Sequence, residues 1–423
     1  MLIDFSVSNF ASFKDRVTLS MEKTPIQKHP EHILDNKLLS GVCVYGANAS
    51  GKTNLLHAIR LLGQFTLPQS VLIMKDRNSF MMDSKYPTEF EVNFISENIK
   101  YNYKIAISST EVVNEELYFE ELNKKNLVFK RHGVKKEFGK LFKDDWYKNR
   151  SFPKDITLLS KFLSDGIVDN PVENKQHILS AINFLRGIVY FEPRTEINPA
   201  AIYNNFNFPK FKKFILDLLR QADFGITDIA FKPVDASNKL LSANHIMQLS
   251  TNPGMVICSQ QNDDYFFFTM EKEKFKCHQL VIHHNDAILN MGLESAGTIK
   301  LFKLGFTLHY FKNIKGSKLL LLDEFDSLFH PFLSKILLKS LLNNPMGGQI
   351  IVALHNTMLL SHEIWRVDEI WFTEKDEDGV SRLYPLTDIN PRFDKDLEKD
   401  YINGRYGAIP FLGGEKAWEE IIK

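Results

Sequence analysis

Residues 41–54 read GVCVYGANASGKTN, and this stretch decides the fold. Positions 46–53 fit the pattern G-x-x-x-x-G-K-[ST], with an apolar strand before them and an amphipathic helix after them. Gly46 and Gly51 let the backbone turn tightly enough for its amide N–H groups to point inward at an anion. The positive end of the following helix faces the same anion. Ala47, Asn48, Ala49, Ser50 and Asn54 complete the candidate phosphate cradle. Lys52 is placed to reach the β- and γ-phosphates of a nucleotide, and the Thr53 hydroxyl to ligate Mg²⁺. From Lys52 onward, Leu55, Leu56, Ile59, Leu62 and Phe65 follow helical spacing, so the turn leads into an amphipathic helix.

A phosphate loop needs a distant acidic strand end to hold the metal and orient water. Residues 319–324 read LLLLDE, four apolar residues and then two acids. Asp323, ending a buried strand, would bind Mg²⁺ through water. Glu324 is placed to polarise an attacking water as general base. Further on, His355 closes the apolar strand QIIVAL. Upstream, ESAGTIKLF puts Ser295 and Gly297 directly before a helix, a start that an ordinary serine N-cap would also produce.

The rest of the chain fits around these motifs. Ile3, Phe5 and Val7 alternate with polar residues and predict an opening strand. From Phe90 to about Phe138, short β-type runs separated by turns predict an antiparallel meander. Lys318–Leu322, Leu333–Leu342 and Gln349–Leu354 read strand, helix, strand, and their wholly apolar strands predict a parallel sheet covered on both faces. The fold class is α/β: a P-loop NTPase with a mixed β-sheet, an antiparallel β-subdomain and an inserted helical region. Residues 1–140 form a first lobe in this reading, 141–250 the insertion, and 251–423 a second lobe.

Composition sets limits on function. Lys+Arg and Asp+Glu both number 52, so binding to nucleic acid or to an anionic membrane would need a local patch. Cys43, Cys258 and Cys277 are widely spaced, which argues against a disulfide scaffold and fits a reducing cytosol. The opening MLIDFSVSNFASFKD gains charges early, unlike a signal peptide, and Leu319–Leu322 is far too short to span a bilayer. The expectation is a soluble, cytoplasmic protein with no membrane partner.

Taken together, SNFASF, GANASGKTNLLHAI, ESAGT, LLLLDEFDSLFHP, LHNTMLL and YINGRYGAIPFL resemble the blocks of the AAA15 family of bacterial ATP-binding proteins, which is similar to restriction-associated RloA-type and RecF-like ATPases. The resemblance spans most of the chain and is weakest over 141–250. It implies an ABC-type site for ATP and Mg²⁺, with His355 as the switch histidine at the γ-phosphate. It also implies a head-to-tail dimer, or a higher oligomer, in which Ser295, Ala296, Gly297 and Thr298 of one subunit close over the nucleotide of the other. Several members look like ATPase halves of anti-phage defence pairs, working with a separately encoded effector that is often a nuclease. A RecF-like repair or recombination clamp is the alternative. Related SMC-type and RecF-like chains often carry arginine where this chain has Ala11. That departure puts an N-terminal arginine contact to phosphate in doubt.

Other features point less sharply. The stretch 124–150 mixes lysines and arginines with Phe129, Phe138, Phe142, Trp146 and Tyr147, which suits a nucleic-acid or acidic-partner surface. A solvated β-hairpin face with its own hydrophobic side would read the same way. Cys277, His278, His283 and His284 do not converge as zinc requires, because His278 and His284 share one strand face and Cys277 and His283 the other.

Overall fold

The computed structural model describes residues 1–67, 80, 85–140, 148, 150–166, 175–206, 208–222, 225–235, 242–252, 254–261, 263–271, 274–343, 346–389, 396–410 and 414–422. By its contacts the chain forms two units, one made of 1–192 and 314–423, the other of 193–313.

In the first unit, six strands form a sheet in the order Ile188–Phe191, Leu319–Leu322, Gln349–Ala353, Gly41–Tyr45, Ile370–Lys375, Ser381–Pro385. Neighbours are parallel except the last pair, an antiparallel hairpin. Leu319–Leu322, Gly41–Tyr45 and Gln349–Ala353 are buried at every position, which is why their sequences are apolar without alternation. The chain leaves this sheet after Phe191 and comes back into it at Leu319, the next strand over.

A second, wholly antiparallel sheet has seven strands, in the order Lys135–Phe138, Lys124–His132, Val112–Glu121, Ile99–Ile107, Thr88–Ser96, Leu2–Ser8, Val17–Ser20. Thr88–Ser96 shows why the meander was legible, since alternate residues from Thr88 to Ser96 are buried. The buried side packs into one core with the P-loop helix Lys52–Gln64, the helices Leu158–Ser164 and Lys175–Arg186, and residues of the parallel strands. Within it the Phe94 ring stacks on Phe184 at 4.2 Å between centroids. Truncating such a ring to alanine costs about 3–5 kcal/mol. Gln349, fully buried, ties the two sheets together: its amide donates to the carbonyls of Leu2 (3.1 Å) and Leu39 (3.0 Å) and accepts from Leu2 N–H.

A buried polar cluster braces the end of the parallel sheet. Arg366 forms a two-pronged pair with Asp368, through Nε at 2.9 Å and Nη2 at 2.8 Å, and donates further to the carbonyls of Ile26 and Lys28. Asp368 also accepts from the amide and hydroxyl of Thr24, so no charge in the pair lacks a partner.

The second unit carries an antiparallel sheet in the order Ile226–Val234, Lys274–His284, Asp264–Glu271, Val256–Gln261. Ile288–Asn290 pairs with the second of these strands. Helices Pro199–Phe206, Pro209–Gln221, Ala243–Thr251 and Ala296–Asn313 complete it. The insertion therefore differs from the expected one in bounds and composition: it runs from 193 to 313 and mixes sheet with helix. Residues 150–192 fall outside it because Leu158, Leu159, Phe162, Ile178, Ile182 and Leu185 belong to the core of the first unit.

Candidate nucleotide site

The phosphate loop joins a buried strand to a helix whose first residue is Lys52. Its two glycines are required for space. A Cβ on Gly46 would lie 2.3 Å from the Thr373 carbonyl oxygen. At Gly51, φ is +119° and a Cβ would lie 2.8 Å from Ser381 Oγ and 3.1 Å from Ser12 Oγ. Ala49 also takes a left-handed conformation, with φ 61°. Neighbouring elements pin the loop from outside. Ser50 Oγ bonds Thr373 Oγ1 at 2.7 Å, Ser381 donates to the Ser50 carbonyl at 2.6 Å, and Asn54 donates to Ser12 Oγ at 2.8 Å.

Lys52 is almost wholly buried, and its ammonium donates to the carbonyls of Gly46 at 2.7 Å and Ala47 at 3.0 Å. Burial lowers its pKa to about 8, although Asp323, Asp326 and Glu324 pull it upward. Thr53 donates to Asp323 Oδ1 at 3.3 Å, so the two residues expected to hold Mg²⁺ are brought together. Asp323 is buried at the end of its strand, with its amide bonded to the Phe191 carbonyl. Glu324 follows in a left-handed conformation, φ 45°, with its own amide donating to Asp323 Oδ1 at 3.1 Å and its side chain exposed. A non-glycine residue held there is strained, as functional turns often are.

Asn48, Ala49, Ser50, Gly51, Lys52, Thr53 and Asn54 line a cleft of about 460 Å³ together with Glu324, His355 and Lys375. His355 thus faces the same space as the loop, and desolvation followed by the charge of Lys52 lowers its pKa, favouring the neutral imidazole. These residues fit a nucleoside polyphosphate and a divalent cation. The glycine cradle has no room for a Cβ, a buried cation faces the cleft, and a hydroxyl and a carboxylate converge beside it.

The signature segment lies in the second unit. Its helix begins at Ala296, so Ser295 is the N-cap, accepting from Thr298 N–H at 3.1 Å, and Gly297 lies in the first turn rather than before the helix. Ser295 and Ala296 are exposed, Gly297 is half-buried, and the Thr298 hydroxyl is turned in against Ser295 Oγ at 2.8 Å.

Several residues of the site escaped sequence reading. Tyr190, on the edge strand Ile188–Phe191, has its hydroxyl 3.1 Å from Asp323 Oδ2, 2.9 Å from His57 Nε2 and 3.4 Å from Glu192 Oε2. The imidazole of His57 and the carboxylates of Glu192 and Asp323 converge like metal ligands, but the phenol oxygen already lies within hydrogen-bond reach of all three. Asp326 is buried, and its Oδ2 accepts from the amides of His355, at 2.8 Å, and Asn356, fixing the loop that carries the histidine. Ser12, next to Ala11, is the part of the N-terminal loop that touches the P-loop. Lys375 comes from the end of Ile370–Lys375, the first strand of the antiparallel hairpin. None of these carries a local signal, because each acts through a partner far away in sequence.

Four cations of the basic stretch have partners among the described residues of the first unit. Lys130 pairs with Glu116 at 2.9 Å, and Lys125 donates to Asn102 and lies over the Tyr118 ring. Arg131 is buried against the carbonyls of Gly133, Pro153 and Ile156. Lys136 bonds the Arg150 carbonyl over the Phe152 ring. Positions 141–147 and 149 of the stretch, Phe142, Trp146 and Tyr147 among them, lie outside the described residues. No helix among the described residues is long and apolar enough to cross a membrane.

A family profile described as "AAA domain, putative AbiEii toxin, Type IV TA system" matches residues 42–361. The chain is also similar to solved structures. One is the SMC head domain from Thermotoga maritima, at 12% identity and a TM-score of 0.40, over 91% of this chain and 98% of that one. Another is an SmcHead bound to the C-winged helix domain of ScpA, at 12% identity and a TM-score of 0.47, over 95% and 99%. A search of curated proteins finds no match.

Proposed function

This chain belongs to that AbiEii-associated AAA-domain family, and from this premise we propose that it is an ABC-type ATPase of the AAA15 kind which binds ATP with Mg²⁺ and dimerises on it. In this reading it is the sensor subunit of an anti-phage defence system and gates a separately encoded effector. The observation that carries the nucleotide reading is Lys52. Among the described residues this buried ammonium forms no ion pair and is held by two loop carbonyls at the edge of the cleft. A buried cation so placed favours an anionic ligand.

Thr53 and Asp323 would hold Mg²⁺, whose charge offsets that of the phosphates when bound. Lys52 and the loop amides bind and orient the phosphate chain. The exposed Glu324 carboxylate takes the proton of the attacking water, and neutral His355 donates a hydrogen bond to the terminal phosphate. Ser295, Ala296, Gly297 and Thr298 of a second copy bring a helix N-terminus, capped here by Ser295, to the same phosphate, which makes dimerisation part of catalysis. The soluble, cytoplasmic setting belongs to the same proposal. The repair-clamp alternative relies on the basic stretch, and the engagement of Lys125, Lys130, Arg131 and Lys136 does not favour it.

Calorimetry with ATP tests the site. Lys52→Ala should abolish binding, and Glu324→Gln should keep binding and accumulate an ATP-dependent dimer in light scattering. Failure of the unaltered chain to bind ATP ends the proposal. Phage challenge of cells carrying the gene and its neighbours, with and without Lys52→Ala, tests the defence role, and equal protection by both would exclude an ATP-dependent one.

A further inference from the structure

The helix that begins at Lys52 reaches Asp323 by two routes. Thr53 touches one carboxylate oxygen directly, Oδ1 at 3.3 Å. One turn later His57 reaches the other oxygen through an intermediary: His57 Nε2 lies 2.9 Å from the Tyr190 hydroxyl, which lies 3.1 Å from Asp323 Oδ2. After another turn the Arg60 guanidinium sits over the Tyr190 ring, 4.7 Å from its centre. Thr53, His57 and Arg60 are spaced to share one helix face.

The shortest contacts order the protons of this relay. The phenol donates to Asp323 Oδ2, the nearer of its two carboxylate partners. A hydroxyl has one proton, so His57 must donate to the phenol oxygen, which assigns its proton to Nε2. Glu192, at 3.4 Å, is the weaker competitor for the phenolic proton. With Oδ2 held by Tyr190, Oδ1 is the oxygen turned toward Thr53 and the Glu324 amide.

We propose that Tyr190 is a positioning residue for the cation site: its hydroxyl, directed by His57, fixes the plane of the Asp323 carboxylate so that Oδ1 and the Thr53 hydroxyl present one Mg²⁺-binding edge. The proposal rests on the nucleotide reading of the site. It assigns Tyr190 no contact with nucleotide and no part in proton transfer. Removing the partner that orients a metal ligand commonly weakens metal binding by ~10–100-fold.

The test separates metal from nucleotide. Tyr190→Phe removes one oxygen and keeps the ring under Arg60. Nucleotide affinity is measured with a fluorescent ATP analogue in EDTA, and Mn²⁺ affinity of the analogue-loaded chain by electron paramagnetic resonance. The expected result is unchanged metal-free nucleotide affinity with Mn²⁺ affinity reduced by ~10–100-fold. His57→Gln, which retains an N–H donor, should lose less Mn²⁺ affinity than His57→Leu. Unchanged Mn²⁺ affinity in Tyr190→Phe overturns the proposal, and so does an equal loss of metal-free nucleotide affinity, which would mark a general scaffold role. Absence of nucleotide binding in the unaltered chain would instead refute the nucleotide reading, and this proposal with it.

Discussion

Raising the pH from 7 to 9 should weaken nucleotide binding about tenfold, because the cation at the centre of the site loses its proton in that range. Lys52 titrates at about 8 in the folded chain, against an ordinary 10.5, with burial as the main cause. A polyphosphate placed against it adds opposite charge and holds the proton on, so the bound form titrates at higher pH. Roughly nine-tenths of Lys52 is charged at pH 7 and roughly one-tenth at pH 9, which gives the ~10-fold loss, or ~1.4 kcal/mol. The stability of the unliganded chain moves the other way. Between pH 8 and 10.5 the unfolded state binds more protons at this lysine than the folded state does. Stability should therefore rise with pH across that window, by up to ~3 kcal/mol. Calorimetry at pH 7, 8 and 9 in two buffers of different ionisation enthalpy measures both the affinity and the proton taken up on binding. Lys52→Arg serves as the control, because a guanidinium stays charged throughout. An affinity flat from pH 7 to 9 in the unaltered chain would show that Lys52 does not lose its proton there, and an equal slope in Lys52→Arg would place the titrating group elsewhere.

Three further outcomes follow from the packing. Asp326→Ala strands the amides of His355 and Asn356, so urea unfolding should show a loss of ~2–4 kcal/mol. ATP turnover should fall in the same variant while ATP affinity holds within a few-fold, and unchanged turnover would show that the histidine loop does not depend on this carboxylate. Arg366→Met leaves Asp368 buried without its cation and should cost ~3–5 kcal/mol in guanidinium unfolding. Adding Asp368→Leu should recover part of that loss, and a neutral single variant would contradict the paired-charge account. Gly51→Ala places a methyl against Ser381 and Ser12 at a left-handed position and should reduce ATP affinity by at least ~10-fold in calorimetry. An unchanged affinity would mean that the loop can open without consequence.

The parts of the fold legible in the sequence were those written locally. GVCVY and the loop after it are contiguous, so strand, turn and helix all show in one short window. LLLL followed by two acids shows equally well, because a strand buried on both faces cannot alternate. What stayed hidden depends on register. The lysines of 124–132 read as a basic patch until Lys130 is seen opposite Glu116 on the neighbouring strand. Tyr190 reads as one residue of a short β run, and only the parallel pairing with Leu319–Leu322 brings its hydroxyl to Asp323. The insertion was misplaced for a related reason. The helices Leu158–Ser164 and Lys175–Arg186 follow the meander in sequence yet pack beneath it, and no composition change marks the true boundary at Glu192.

That boundary has a consequence for anyone who wants to rebuild the molecule. The chain departs from the carboxyl end of Ile188–Phe191 and re-enters before the amino end of Leu319–Leu322, and these strands lie side by side and point the same way. The whole of 193–313 therefore stands where a simpler protein would have a single crossover helix. A splice of two or three residues cannot replace it, because a tight turn joins only strands that run in opposite directions. A cassette of about a dozen residues or more, helical and right-handed in its path, should be the smallest graft that closes the sheet. Such a minimal chain would keep the phosphate loop, Asp323 and His355 while losing Ser295–Thr298 altogether. It would provide half of the proposed composite site as a separable part.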